Sequence, residues 1–300
     1  MKVLVTGGAG FVAGHLTAEL LAHRHEVVLS DVKMRDVRGH DIPRSSTECG
    51  EDCIPADLTK LDVVRTLVER VHPDAVVHLG AISFVPEAAK NLDLLAKVNV
   101  EGTENLLKAV REFAPLARFL FVSTAQVLNH PPLSAYAASK LAAEACVQAF
   151  GKLGLDVMVV RPANHTGPRQ SPRFVVPSFL QQAVEIKAGR KDHFTTGNLD
   201  SIRDFTDVRD VVAAYRLLLE KGKSGETYAV GAPERLKMKE VLDLVQRTVG
   251  VEAPAITSSS LYRPTDASCI LDTSAIRSLG WSPRYTLPQT LHDMLSTFEL

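Results

Sequence analysis

Short apolar runs alternate along the chain with longer segments whose apolar residues recur every three to four positions. Lys2–Val5 reads as a buried strand, Phe11–Ala22 as a helix and Glu26–Leu29 as the next strand. Leu61–Val71 places Leu61, Val64, Leu67, Val68 and Val71 on one helical face. Ala75–Leu79 follows as a strand, Leu92–Phe113 as one long helix and Phe119–Val122 as a strand. Ala135–Leu153 predicts a helix and Val157–Val160 a strand. Strands separated by helices of this length need right-handed crossovers. The pattern therefore predicts an α/β fold, a doubly wound parallel sheet with helices on both faces.

The rhythm breaks after Val160. Arg161 to Pro177 contains four prolines, and a helical stretch then spans Ser178–Ala188. Asp207 suits the N-cap of a helix Val208–Glu220, Glu226–Val230 reads as a strand and Lys239–Val249 is again periodic. Beyond Pro254 the chain turns Pro/Ser-rich, with short helices near Thr273–Leu279 and Leu287–Ser296. Residues 1–161 are expected to form a Rossmann domain joined by later sheet elements near 200–230. Residues 162–300 are expected to be mainly a smaller substrate-binding lobe.

Composition narrows the class. The 300 residues are 45% hydrophobic and 23% charged, with 34 basic and 35 acidic side chains and a net charge of −1. That balance lacks the basic excess of a nucleic-acid binder. No apolar run approaches the roughly 20 residues of a membrane span, and Lys2–Val5 meets Thr6-Gly7-Gly8 before a signal-peptide core can form. Cys49, Cys53, Cys146 and Cys269 form no CxxC pair, and no His/Cys set has zinc spacing. A cytoplasmic protein with reduced thiols and no metal is expected; a Cys49–Cys53 bridge stays open.

Three groups of residues carry candidate chemistry. Thr6-Gly7-Gly8-Ala9-Gly10-Phe11-Val12 joins the first strand to the first helix, where Gly7 and Gly10 let backbone N–H groups approach a pyrophosphate. Asp31, about twenty residues on, ends the second strand, where a carboxylate accepts from an adenosine ribose. A plain strand-to-helix turn and a solvated strand-end acid are the structural alternatives. Tyr136 and Lys140, four apart in Tyr136-Ala137-Ala138-Ser139-Lys140, project from one helix face. An ammonium beside a phenol lowers its pKa toward acid–base use. Ser123-Thr124 follows a strand at its carboxyl end, the ligand side of such a sheet, and Thr124 offers a hydroxyl to a substrate oxygen. Asn99 lies mid-helix, where Asn needs a side-chain partner.

Taken together, these segments resemble the extended short-chain dehydrogenase/reductase family over essentially the whole chain. The family pattern runs through TGGAGF, Asp31, Asp57-Leu58, His78-Leu79-Gly80-Ala81, Asn99, Thr124 and Tyr136/Lys140. The resemblance implies that Tyr136 is the acid–base, that Lys140 holds the nicotinamide ribose and lowers the tyrosine pKa, and that Thr124 polarises the substrate oxygen. It implies a cofactor site of Gly7, Gly10, Phe11, Val12, Asp31, Asp57, Leu58 (Asp57-Leu58 at the adenine), Leu79, Gly80, Ala81, Asn99, Tyr136 and Lys140. NAD(H) is the expected cofactor because of Asp31, with NADP(H) open through Lys33, Arg35 and Arg38. The family also implies a homodimer through the helices Leu92–Phe113 and Ala135–Leu153.

The second half is most similar to GDP-4-keto-6-deoxy-mannose reductases, through Arg161-Pro162-Ala163-Asn164, Arg203-Asp204-Phe205-Thr206-Asp207 and Arg263-Pro264-Thr265-Asp266. That likeness implies a GDP-linked 4-keto-6-deoxyhexose as substrate, with Ser83, Thr124, Asn164, Arg203 and Arg263 contacting it. Asp207, Arg209 and Asp210 are read instead as a surface ion-pair network with Asp207 capping a helix. Two departures stand out. Ala13 replaces a usual third glycine, and Gln126-Val127-Leu128-Asn129-His130-Pro131-Pro132 reaches Tyr136 by a short loop that leaves the substrate mouth open. The rivals are a 4-epimerase retaining NAD and a non-catalytic cofactor sensor. A dehydratase is disfavoured because Ala125-Gln126, not two acids, follow Thr124.

Overall fold

The computed structural model describes residues 1–32, 53–85, 89–129, 134–262 and 271–297. Seven strands form one parallel sheet: β1 Lys2–Thr6, β2 Glu26–Asp31, β3 Cys53–Pro55, β4 Ala75–His78, β5 Arg118–Val122, β6 Asp156–Pro162 and β7 Thr227–Val230. Their spatial order is β7-β6-β5-β4-β1-β2-β3. The winding reverses between β1 and β4, so the ends of those two strands open the crevice where such sheets bind ligands.

One face of the sheet is covered by α2 (Leu61–Val71), α4 (Gly102–Phe113) and α5 (Ala135–Lys152). Their apolar stripes pack on Leu4, Val76, Phe119, Phe121, Val157 and Val159. On α1 (Phe11–Ala22), Glu19 accepts a hydrogen bond from Arg216 at 2.8 Å, which ties α1 to α7 (Val208–Lys221). The predicted long helix Leu92–Phe113 is broken into α3 (Leu92–Ala96), a π turn at Lys97–Glu101, and α4. Its apolar period continues through the break, which is why periodicity did not reveal it.

The chain divides into two compact units. The first comprises residues 1–162, 212–230 and 272–281, and so includes α9 (Ser274–Ser278). The second comprises 163–211, 231–271 and 282–300. In the second, α6 (Val175–Lys187), α8 (Met238–Val249) and α10 (Leu287–Leu295) bury Phe179, Leu180, Val241, Leu242, Leu291 and Met294 together. Three small strand pairs, Phe194–Thr196 with Ala255–Thr257, Ile202–Asp204 with Arg235–Lys237, and His165–Thr166 with Thr206–Asp207, border that core. The sequence pattern did not predict them, because two- and three-residue strands are too short to show a period. Among the described residues, no helix is long and apolar enough to cross a membrane and no cluster of three His, Cys, Asp or Glu could hold a metal ion.

Candidate active site

The β1–α1 turn is shaped for something held against bare backbone. Gly7 has φ +74°, and a Cβ there would stand 2.7 Å from the Gly80 nitrogen. Gly10 is the N-cap of α1 and supplies no side-chain cap, so the first amides of the helix keep their donors. An uncapped helix start next to a turn without side chains fits a pyrophosphate. Asp31 sits at this turn: one carboxylate oxygen accepts from the Ala9 N–H at 3.2 Å and the other from the Val32 N–H at 2.7 Å. The buried Ala13, in place of the third glycine, leaves α1 intact on the sheet.

Directional hydrogen bonds run from this turn toward the tyrosine helix. Thr103 Oγ1 donates to the Asn99 carbonyl at 2.7 Å, so it accepts from His78 Nε2 at 2.9 Å. His78 Nδ1 then accepts from Thr6 Oγ1 at 2.7 Å, and Thr6 Oγ1 in turn accepts from the Gly80 N–H at 3.4 Å. This assigns a neutral ring with its proton on Nε2. Burial, and secondarily the neighbouring Lys140 charge, push the His78 pKa down to about 3.

Asn99 lies in the π turn and is buried. Its Oδ1 accepts from the Ile82 N–H at 2.8 Å, and its Nδ2 donates to the Ile82 carbonyl at 3.2 Å and to Ser139 Oγ at 2.9 Å. Both amide protons are spent inside the protein. The residue therefore shapes the loop after β4 and braces α5. A π turn is a frequent mark of a functional position.

Ser134 Oγ accepts from the Ala137 N–H at 3.1 Å and starts α5, which carries Tyr136 on one turn and Ser139 and Lys140 on the next. Lys140 is 3% exposed, donates to the Val122 carbonyl at 2.8 Å and lies 4.8 Å from the centre of the Phe121 ring. Burial pushes its pKa down to about 7, partly opposed by Glu144 one turn on. Burial pushes Tyr136 up to about 12. Tyr215 on α7 is fully buried without a hydrogen-bond partner for its hydroxyl, and burial and Tyr136 both push its pKa up.

Thr124 caps the short 3-10 turn Ala125–Leu128 by accepting from the Gln126 N–H at 3.3 Å, which leaves its own proton for another acceptor. Ser123 is buried and its Oγ has no hydrogen-bond partner. Asp57 Oδ1 accepts from both the backbone N–H and the hydroxyl of Thr59, at 2.9 and 2.7 Å, and Leu58 packs in the core. Leu79 and Ala81 are half-buried and Ser83 is exposed.

In the second unit, Asn164 donates to Asp204 at 3.4 Å, and Arg203 donates to its neighbouring Ile202 carbonyl at 3.2 Å. Asp207 is 3% exposed and accepts from the Arg209 backbone N–H at 2.8 Å, its side chain at 2.9 and 2.7 Å, and Thr290 at 2.7 Å. Asp210 accepts from the Arg284 and Tyr285 N–H groups, both at 3.0 Å. The network is structural, with the Asp207 and Asp210 carboxylates buried rather than on the surface and the Arg209 side chain partly exposed. Arg263, Lys33, Arg35, Arg38, Cys49, Cys269 and His130 lie outside the described residues.

Sequence reasoning quoted Ser139 and Arg161 only as members of motifs, without a role of their own, and missed Glu144. Glu144 pairs with Arg161 through Nε–Oε1 at 3.0 Å. The available signal was one acid, four residues after Lys140, within an alanine-rich helix.

A phosphate-binding turn by itself would make a nucleotide sensor. Adding a half-buried tyrosine and a buried lysine on one helix face equips the crevice to move a proton beside a dinucleotide, the work of NAD(P)-dependent enzymes of the extended short-chain dehydrogenase/reductase class. Comparison with known proteins agrees. Residues 4–294 match the family described as GDP-mannose 4,6 dehydratase. GDP-6-deoxy-D-mannose reductase from Pseudomonas aeruginosa is 31% identical, with 99% of this chain and 97% of that protein covered. Among solved structures, RMD from Pseudomonas aeruginosa complexed with NADPH superposes with a TM-score of 0.83 at 30% identity, covering 99% and 98% of the two chains. UDP-glucose 4-epimerase from Thermus thermophilus with NAD gives 0.83 at 26% identity, with 99% and 98% covered. The chain belongs to the GDP-mannose 4,6 dehydratase family of extended short-chain dehydrogenases/reductases.

Proposed function

We propose that this protein reduces the 4-keto group of a GDP-linked 4-keto-6-deoxyhexose, with NADH as the preferred cofactor and NADPH as a usable one. The observation that carries the reading is the likeness, over 99% of this chain, to a GDP-6-deoxy-D-mannose reductase, in a chain that sets Tyr136 and Lys140 on one face of α5 beside the glycine turn. A reductase gives a proton to the forming alkoxide, and Tyr136 offers the hydroxyl for it. Ala125-Gln126 after Thr124 also supplies no carboxyl group for eliminating water.

In this reading the Gly10, Phe11 and Val12 amides hold the cofactor pyrophosphate, Asp31 accepts from the adenosine ribose and Lys140 holds the nicotinamide ribose. The bound cofactor supplies hydride. Thr124 donates its free proton to the keto oxygen and keeps it facing Tyr136, which delivers the proton that completes the alcohol. Asn164, Arg203 and Arg263 are proposed for the nucleotide-sugar, since guanidinium forks suit diphosphate oxygens.

The test is to incubate purified protein with a panel of nucleoside-diphosphate 4-keto sugars and NADH or NADPH, following absorbance of the reduced cofactor. One cofactor consumed per GDP-sugar is the expected result. Interconversion of sugar 4-epimers with no net cofactor consumption would replace this reading by the epimerase.

A further inference from the structure

Lys140 has an unusual seat for a cation. Its ammonium is buried against the Val122 carbonyl at 2.8 Å and the Phe121 ring at 4.8 Å. Neither carries a full charge to repay the desolvation. The charge that does act on Lys140 is Glu144, four residues on and hence one turn away on the same side of α5.

Glu144 is not devoted to Lys140. Its carboxylate faces Arg161 at the end of β6 in a two-pronged pair, Nε to Oε1 at 3.0 Å and Nη2 to Oε2 at 2.5 Å. The Glu144 side chain is 7% exposed and that of Arg161 25%. The fork fixes the Glu144 rotamer, and the guanidinium offsets part of its charge. Glu144 is therefore paired directly with Arg161 and stands one helical turn from the Lys140 ammonium, on which its charge acts.

The other groups around Lys140 do not replace this pair. His78, from β4, is neutral at physiological pH, since its pKa is held at about 3. Tyr136, from the same helix, is protonated. Phe121 and Val122, from β5, carry no net charge, and Ser139 and Asn99 are neutral.

We propose that Glu144 and Arg161 are positioning residues for Lys140: Glu144 keeps the ammonium charged in its buried seat, and Arg161 sets how much of that carboxylate's field Lys140 receives. The inference rests on the reading that Lys140 serves the cofactor site. The device matters because burial pushes the Lys140 pKa down to about 7, so in this buried seat a modest change in field decides whether it carries its proton.

The two partners make opposite demands, and this separates tuning from scaffolding. Glu144→Gln removes the negative charge and favours the neutral amine, so the Lys140 titration should fall by about one pH unit. Arg161→Gln leaves Glu144 undiluted, and the titration should rise by a similar amount. Glu144→Asp keeps the charge and should return the titration close to wild type, which also covers the case of a Glu144→Gln protein that folds poorly. The direct readout is NMR of protein carrying isotope-labelled lysine, with the Lys140 signal assigned by its loss in Lys140→Met. The second readout is the basic limb of the pH profile of kcat/KM, which should move with the NMR titration in each variant. A Lys140 signal that stays in place in both charge variants, or moves the same way in both, overturns the proposal. The NMR titration needs no turnover. Failure to reduce any nucleotide sugar would therefore sink the functional reading and leave this measurement able to judge the pair.

Discussion

Asn99 Nδ2 donates to Ser139 Oγ at 2.9 Å, and Ser139 Oγ passes its own proton to the Tyr136 carbonyl at 2.8 Å. Through these two bonds the π turn before α4 holds the helix that carries the tyrosine and lysine. The same asparagine pairs with both backbone groups of Ile82. Replacing it with leucine leaves those half-buried groups and the buried Ser139 hydroxyl without this partner. Asn99→Leu should cost about 2 kcal/mol or more of stability in urea unfolding, since each unsatisfied buried group costs roughly 1–3 kcal/mol. Wild-type stability in this variant would mean that the loop re-pairs elsewhere.

Tyr136→Phe tests the proton donor. The ring and its packing remain, but the hydroxyl is gone. Turnover should fall by ~10²–10⁴, the usual contribution of a positioned general acid. Cofactor affinity, read by fluorescence of the bound reduced nucleotide, should stay within a few-fold. Near-normal turnover would remove Tyr136 from the reaction.

His78 and Lys140 predict how stability follows pH. The folded His78 stays neutral down to about 3, whereas an unfolded histidine takes up its proton near 6.5. Between those values the unfolded chain binds the extra proton, so stability is lost as pH falls through that window. The steepest loss is about 1.4 kcal/mol per pH unit. His78→Gln removes this titration while keeping an amide donor for Thr103, so its urea midpoint should depend less on pH between 6 and 4 than wild type. Lys140 gives the same sign in a higher window, between about 7 and 10.5. There the unfolded lysine is the protonated one, so stability rises with pH, and Lys140→Met should flatten that rise.

Asp31 should decide cofactor preference. Its carboxylate is fixed at the β1–α1 turn by the Ala9 and Val32 amides. It can accept from the ribose hydroxyls of NADH and meets a like charge in the 2′-phosphate of NADPH. Asp31→Asn removes that repulsion and should shift the ratio of kcat/KM values toward NADPH. A wild-type enzyme that already prefers NADPH strongly, with no change in the variant, would take Asp31 away from the ribose.

Local pattern was enough for the parts of this protein that depend on neighbours in the chain. Phe11–Ala22 and Leu61–Val71 end where the apolar period predicts, because one stripe of each helix must be buried. The placement of the glycine turn between β1 and α1, and of Tyr136 and Lys140 on one face, also follows from spacing alone.

Tertiary structure decided whatever depends on partners distant in sequence. The π turn at Lys97–Glu101 is invisible in an unbroken period, and its asparagine finds Ser139 forty residues away. His78 meets Thr6 across 72 residues, and only the chain of donors on either side of the ring fixes its proton on Nε2. The sequence placed an acid one turn after Lys140. It took the register of β6 against α5 to give that acid to Arg161 as well. Burial, which no spacing reports, then set the direction of the shifts: it pushes the Tyr136 pKa up and the Lys140 pKa down, because removing a charge from water costs more than nearby dipoles return.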